Sequence, residues 1–141
     1  MTLVKVAKTK EELKHVYDVR RKVFVVEQGV PEEVEVDEKE QQSIHFIAYK
    51  EECPVGAGRL RIHGSVAKAE RVCVLSDERG KGVGADIMRK MEVYSKENNL
   101  QSLKLNAQIH AEPFYKSLNY STISDSFYEA NIPHVTMEKN L

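Results

Sequence analysis

Glycine at every second position from Gly80 to Gly84, set between an apolar run and an amphipathic stretch, constrains this chain more than any other feature. Val72-Cys73-Val74-Leu75 reads as a strand, Ser76-Asp77-Glu78 as a polar turn, and Val83 onward as a helix. Glycines remove the side chains that keep a ligand away from the backbone. The N–H groups of a helix's first turn lack internal partners and sit at the positive end of the dipole. Together these make a cradle in which main chain alone can hold a phosphate or pyrophosphate. Arg79 and Lys81 add positive charge at its rim.

A length of 141 residues favours one domain, 1–141, with an ordinary core. With 41% hydrophobic and 30% charged residues, the composition is that of a soluble globular protein. A net charge of −1 provides no global field toward nucleic acid or anionic lipid, so neither is expected as a partner. No apolar run approaches the ~20 residues that span a bilayer. The start, Met1-Thr2-Leu3-Val4-Lys5-Val6, alternates like a strand and lacks the form of a secretory leader. Cys53 and Cys73 make no disulfide framework. A cytoplasmic location is the expectation.

Leu3 to Val6 suggests a first strand. Thr9 with Glu12 forms a capping box ahead of a helix that places Leu13, Val16, Tyr17, Val23 and Phe24 near one face. That helix should fail near Gln28-Gly29, and Pro31 blocks its continuation. Six acids between Glu32 and Glu40, against one lysine, read as a solvated loop with at most a short helix. Ile44–Tyr49, Val55–Ile62 and Val66–Leu75 read as three strands joined by turns short enough to force antiparallel pairing. A helix from Val83 to about Asn98 separates them from a strand at 102–106, and that crossover predicts a parallel pair. A short helix over 111–118 and strands at 120–123 and 134–137 complete a mixed α/β sheet with helices on both faces.

Three readings of the cradle compete. The P-loop string Gly-x-x-x-x-Gly-Lys-Ser/Thr is absent. The dinucleotide pattern is formally met by Gly80, Gly82 and Ala85, but an antiparallel meander precedes it and no ribose-binding acid follows about twenty residues on. The third is a resemblance. Arg79-x-x-Gly82-x-Gly84, preceded by Glu70-Arg71-Val72-Cys73-Val74-Leu75, resembles the acyl-coenzyme signature of the GCN5-related N-acetyltransferase (GNAT) family. Leu105-Asn106-Ala107-Gln108 and the segment from Ala111 to Tyr120, with Phe114-Tyr115, are similar to that family's fifth strand and following helix. The likeness covers the whole order of elements, β-α-α-β-β-β-α-β-α-β-β. Asn119 departs from the family's glycine, but asparagine also tolerates a left-handed backbone.

The resemblance implies an acetyl-CoA-dependent N-acetyltransferase whose central parallel strands splay. The pantetheine arm would pair with the edge of Val72, Cys73 and Val74. The pyrophosphate would meet Gly80, Lys81, Gly82, Val83 and Gly84, and Asn106 would hydrogen-bond the arm. Phe114 and Tyr115 would complete the coenzyme site. Tyr115 is the candidate general acid for the departing thiolate, since a phenol of pKa about 10 stays protonated at neutral pH. A backbone N–H near Val74 would hold the oxyanion. Glu70 is the candidate general base, although it could equally be a solvated or paired strand residue next to Arg71, and the amine could also arrive deprotonated from solvent with no dedicated base. Glu27, His45 and His134 are weaker base candidates. Phe24, Glu27, Gln28, His45 and His134 are expected on the acceptor side.

Cys73 in an apolar strand reads as a small buried side chain rather than a nucleophile, and no metal-ligand spacing is present, so no metal is expected. The acceptor is expected to be a small-molecule or protein amine, and the family's habits allow a homodimer. A non-catalytic acyl-CoA-binding domain of the same fold is the alternative.

Overall fold

The computed structural model describes residues 2–141. Its order is β1 (Thr2–Val6), α1 (Lys10–Arg20), a π-helical segment (Arg21–Glu27), α2 (Glu32–Glu35), β2 (Ile44–Lys50), β3 (Cys53–His63), β4 (Val66–Val74), α3 (Val83–Glu97), β5 (Ser102–Gln108), α4 (Glu112–Ser117), β6 (Ser121–Thr122), β7 (Phe127–Glu129) and β8 (Ile132–Asn140). The eight strands form one mixed sheet in the order β1-β2-β3-β4-β5-β8-β6, with β7 also paired to β8. β4 and β5 are its parallel pair, made so by the α3 crossover.

Two apolar clusters lie on opposite faces of this sheet. Phe46, Leu60, Leu103 and Met137 meet Ile87, Met88 and Met91 of α3. Ile47, Ala57 and Cys73 meet Val16, Val19 and Val23 of the first helical stretch. The capping box at the start of α1 is formed in both directions, Glu12 N donating to Thr9 Oγ1 and Thr9 N to Glu12 Oε1, each at 3.1 Å. Asn119 adopts φ +74, so the helix before it ends on the left-handed residue its type allows.

Three features differ from the sequence expectation. The first helix does not stay α to Gln28 but widens at Arg21, with Gln28 N donating to Val23 O at 3.1 Å. A hairpin strand, Phe127–Glu129, precedes the last strand and escaped the periodicity because it is only three residues long. The acidic stretch is only partly solvated: Glu32, Glu33 and Glu38 are exposed and the expected short helix is α2, but the other acids turn inward. Glu35 and Glu40 are buried with Arg20, which has no exposed surface, and with Arg59, 1% exposed. Arg20 donates to Glu35 Oε2 at 3.0 Å and to both oxygens of Glu40 at 2.8 Å. Arg59 donates to Asp37 Oδ1 at 2.9 Å, to Glu40 Oε2 at 3.0 Å and to Glu70 Oε1 at 2.6 Å. Four acids and two arginines thus continue the α1-side core as an ion network.

Burial alone would raise the carboxyl pKa values here. Arg20 and Arg59 more than offset it and bring Glu40 down to about 2, and Arg61 with Arg59 does the same for Glu70. Burial pushes His45, beside Glu40, below its usual value of 6.5. All these shifts favour the folded state at high pH, and that contribution is lost as pH falls. Unfolding midpoints in urea are expected to slip from about pH 6.5 as His45 must charge, and to fall steeply between 4.5 and about 2 as the carboxylates protonate. Arg59→Ala, which takes one arginine from each of Asp37, Glu40 and Glu70 in a buried network, is expected to cost roughly 3–5 kcal/mol in the same measurement at pH 7.

Candidate active site

The parallel pairing of β4 with β5 runs from Val66↔Ser102 to Ala69↔Leu105 and stops there. Two residues later β4 carries a bulge. Ala57 pairs with Cys73 and Arg59 with Glu70, so Gly58 alone stands opposite Arg71 and Val72. Arg71 absorbs the extra residue at φ +56, a left-handed conformation costly for a side chain of its size. Its guanidinium is anchored in return, Nε lying 3.1 Å from Glu35 O and 3.0 Å from Glu35 Oε2. Past the bulge β4 follows β3 as far as Gly56↔Val74, while β5 follows β8 as far as Gln108↔His134. The two strands part, and a cleft opens between them.

Leu75 N donates to Val55 O at 2.9 Å, which makes Val74 and Gly56 a non-hydrogen-bonded pair. The N–H and C=O of Val74 therefore point away from β3 and into the cleft. Arg79 Nε occupies that carbonyl at 3.0 Å, and its two terminal nitrogens reach Glu27 at 2.6 Å each.

The glycine loop closes one end of the cleft. Gly80 and Gly82 take φ of +77 and +90, which explains glycine at both. Gly82 caps α3 without any side-chain bond, and the first internal bond runs from Asp86 N to Gly82 O at 3.0 Å. The N–H groups of Val83, Gly84 and Ala85 have no partner within the helix. Gly84 is needed for another reason. A β-carbon there would stand 3.2 Å from Phe114 Cζ, so the glycine seats the ring of the following helix.

These parts line one cavity of about 1040 Å³, roofed by the π-helical segment and floored by β4, β5 and β8. Val72, Cys73, Val74, Arg79, Gly80, Gly82, Val83 and Gly84 lie along it, as do Asn106, Phe114 and Tyr115. Lys81 does not. Its side chain turns outward, with Nζ 3.8 Å from Glu78. Tyr115 is buried edge-on to Phe114 and Tyr120, and burial raises its phenol above the usual value. Burial likewise pushes the Cys73 thiol up to about 12, which leaves it without thiolate at neutral pH. Asn106 accepts from Thr136 Oγ1 at 2.9 Å and donates to Glu129 at 3.4 Å.

Of the residues expected on the acceptor side, Phe24, Glu27, Gln28 and His134 line the cavity, as does Glu70. His45 lies elsewhere. It is sealed in the ion network, its Nε2 donating to Glu40 O at 2.9 Å, and it reaches no part of the cleft. Glu70 is clamped by Arg59 and by Arg61, whose Nε and Nη2 lie 2.7 and 2.8 Å away, rather than by its neighbour Arg71. At a pKa of about 2 it has almost no affinity for a proton at neutral pH. Gln108, which belongs to the fifth-strand likeness but has no role there, donates to Gln28 Oε1 at 2.9 Å across the cleft, and Glu129, on a strand too short to show a period, had no sequence signal. Among the described residues, no group of three or more His, Cys, Asp or Glu side chains is placed to hold a metal ion. No helix of the described residues is long and apolar enough to cross a membrane.

Residues 6–141 match the family described as Acetyltransferase (GNAT) domain. The chain belongs to the GNAT acetyltransferase family. It is 45% identical over 136 residues to the Bacillus subtilis protein named uncharacterized N-acetyltransferase YjcF, covering 96% of this chain and 97% of that one. An acyl-CoA N-acyltransferase from Pseudomonas aeruginosa superposes with a TM-score of 0.83 at 25% identity, over 99% of this chain and 98% of that one. An aminoglycoside 6'-N-acetyltransferase solved with coenzyme A superposes at 0.79 and 14% identity, over 98% and 96% of the two chains, which shows the shared fold. This chain is thus a GNAT acetyltransferase.

Because Gly82 sits at φ +90 with nothing within 4 Å of a would-be β-carbon, strain alone should set the cost of replacing it. Gly82→Ala is expected to lose about 1–2 kcal/mol in urea unfolding. Gly84→Ala should cost less stability and instead shift Phe114, read as a changed Phe114 ring resonance in NMR.

Proposed function

We propose that this GNAT protein transfers the acetyl group of acetyl-CoA to a primary amine by direct attack, with no acyl-enzyme intermediate. One observation carries the reading. The unpartnered N–H groups of the α3 start, the inward-facing backbone of Val74 and the Tyr115 ring all border a single cavity. Such a cavity, about 1040 Å³ in volume, suits a ligand with an anionic end and an amide-bearing arm.

In this reading the loop at 80–84 holds the pyrophosphate, with Arg79 supplying charge once it leaves Glu27. Val74 offers a carbonyl to an arm amide and an N–H to the carbonyl oxygen as negative charge builds there. Tyr115, kept neutral by burial, donates its proton to the departing sulfur. Cys73 contributes only packing. The amine enters from the side of Phe24, Gln28 and His134, where the cavity wall is mixed apolar and polar.

The reading is tested by titrating acetyl-CoA calorimetrically and by following thiol release over a panel of polyamines, amino sugars, amino acids and lysine peptides. Binding with thiol release from at least one acceptor class supports it. Binding without release across the panel makes the chain an acyl-CoA-binding domain instead. Gly84→Glu, which puts a carboxylate and bulk at the loop, is expected to weaken acetyl-CoA binding at least tenfold while the fold persists by circular dichroism. Tyr115→Phe should lower kcat by about 10²-fold with the acetyl-CoA Kd unchanged, and an undiminished kcat would remove the acid role.

A further inference from the structure

Acetyl transfer needs an acceptor nitrogen stripped of its proton, and the clamped Glu70 cannot take it. We propose that His134 Nε2 is the general base that deprotonates the acceptor ammonium. The inference rests on the acetyl-CoA-dependent reading above.

His134 Nδ1 lies 2.6 Å from Ile132 O. A carbonyl oxygen only accepts, so Nδ1 carries the hydrogen and Nε2 carries the lone pair. The ring is held flat against Phe127, centroids 6.1 Å apart at 22°. Only 8% of the residue is exposed, yet its Nε2 is neither hydrogen-bonded to any described residue nor among the sealed, partnerless atoms. It is therefore a fixed lone pair open to the cavity that His134 lines. This is what a base needs: a set tautomer, a set orientation and a free acceptor.

The position on the sheet supports the role. Val135 and Met137 belong to the α3-side core, as does Tyr115, so alternation along β8 turns His134 to the opposite face. Acid and base thus stand on opposite faces of the sheet with the cleft between them. Both groups border the cavity in which the thioester carbonyl carbon would lie. The charged and titratable groups that share the cavity with the ring include Glu129 of β7, His110 after β5, Glu27 with Arg79, and Glu70 with Arg71 on β4. Glu129 has no cationic partner among the described residues and accepts only from Asn106 at 3.4 Å. His110 is exposed, and its Nε2 is engaged with Gln108 Oε1 at 2.7 Å.

The protons balance. The ammonium gives one to Nε2, and the freed lone pair forms the C–N bond at the thioester carbonyl carbon. The C–S bond breaks with its electron pair on sulfur, which takes the Tyr115 proton. The second nitrogen proton returns to the Tyr115 phenolate, and the imidazolium releases its own to water. One proton leaves per turnover.

The test measures thiol release from acetyl-CoA with benzylamine as probe acceptor between pH 5.5 and 9.5. His134→Ala is expected to lower kcat at pH 7.5 by about 10²–10³-fold, to leave the acetyl-CoA Kd unchanged by calorimetry and to recover activity with added imidazole. His134→Asn puts an amide N–H at the Nδ1 position for Ile132 O and removes the Nε2 lone pair, so it should melt near the wild type while staying slow. In both variants the acid limb of the wild-type kcat profile should vanish. An unaltered rate, or a loss that imidazole does not restore with the acid limb intact, overturns the role of His134 alone. A wild-type protein that neither binds acetyl-CoA nor releases thiol overturns the acetyltransferase reading and this inference with it.

Discussion

The buried ion network around Arg20 and Arg59 is the constraint on which the rest of the structure depends. Hydrocarbon fills the α1-side core as far as Val19, Val23 and Ala57, and then the chain places guanidinium where more hydrocarbon would be expected. Two buried cations demand partners, because an unpaired one costs several kcal/mol. The partners come from one segment, residues 35–40, and from Glu70 of β4. Meeting that demand pins an otherwise irregular stretch to the sheet, beside the point where β4 leaves β5. An apolar core of the same volume would hold the layers together equally well. It would not specify that Glu35 must lie beside Arg71.

That adjacency is what makes the cleft. Arg71 holds a left-handed backbone that its side chain disfavours, and Glu35 meets the guanidinium through both main chain and carboxylate. The bulge so stabilised changes the parity of β4. Ala67 and Ala69 face α3 before it, and Val72 and Val74 pack on the same side after it, although the spacing is odd. Without the extra residue Val72 would face the other way. The network thereby links a structural expense at one site to an opening of unpaired backbone at another.

The parts legible in the sequence are those governed by local rules. The capping box, the antiparallel meander, the α3 stripe and the parallel crossover follow from spacing and turn length, and each lies where these place it. The glycine loop was legible as a cradle, but not the separate reasons for its glycines, since Phe114 meets Gly84 only through the fold. Arg20 and the acids at 35–40 were illegible because charge in a sequence reads as exposure. Only tertiary pairing turns it inward. The Arg71 bulge leaves no composition signal, and the π-helical widening at Arg21 keeps the same apolar residues while changing which carbonyl each N–H meets. His45 and His134 look alike in sequence, each in an apolar strand. The fold gives one a carbonyl inside the ion network and the other an open lone pair.

Arg79 shows how the cleft stays ordered in the free protein. A strand edge that faces a cavity with unmet carbonyls is prone to pair wrongly or to collapse. Arg79 covers Val74 O with Nε and ties its remaining donors to Glu27. Both partners of that ion pair are about 40% exposed, a setting in which such pairs contribute only ~0–1 kcal/mol. The contact is strong enough in geometry to fix the loop and weak enough in energy to yield. An arm amide competing for Val74 O, and a pyrophosphate competing for the guanidinium, would act on the same side chain. Its release also frees Glu27 at the roof of the cavity. The buried arginines and this exposed one divide the work by desolvation: the first set cannot be exchanged, and the last one can.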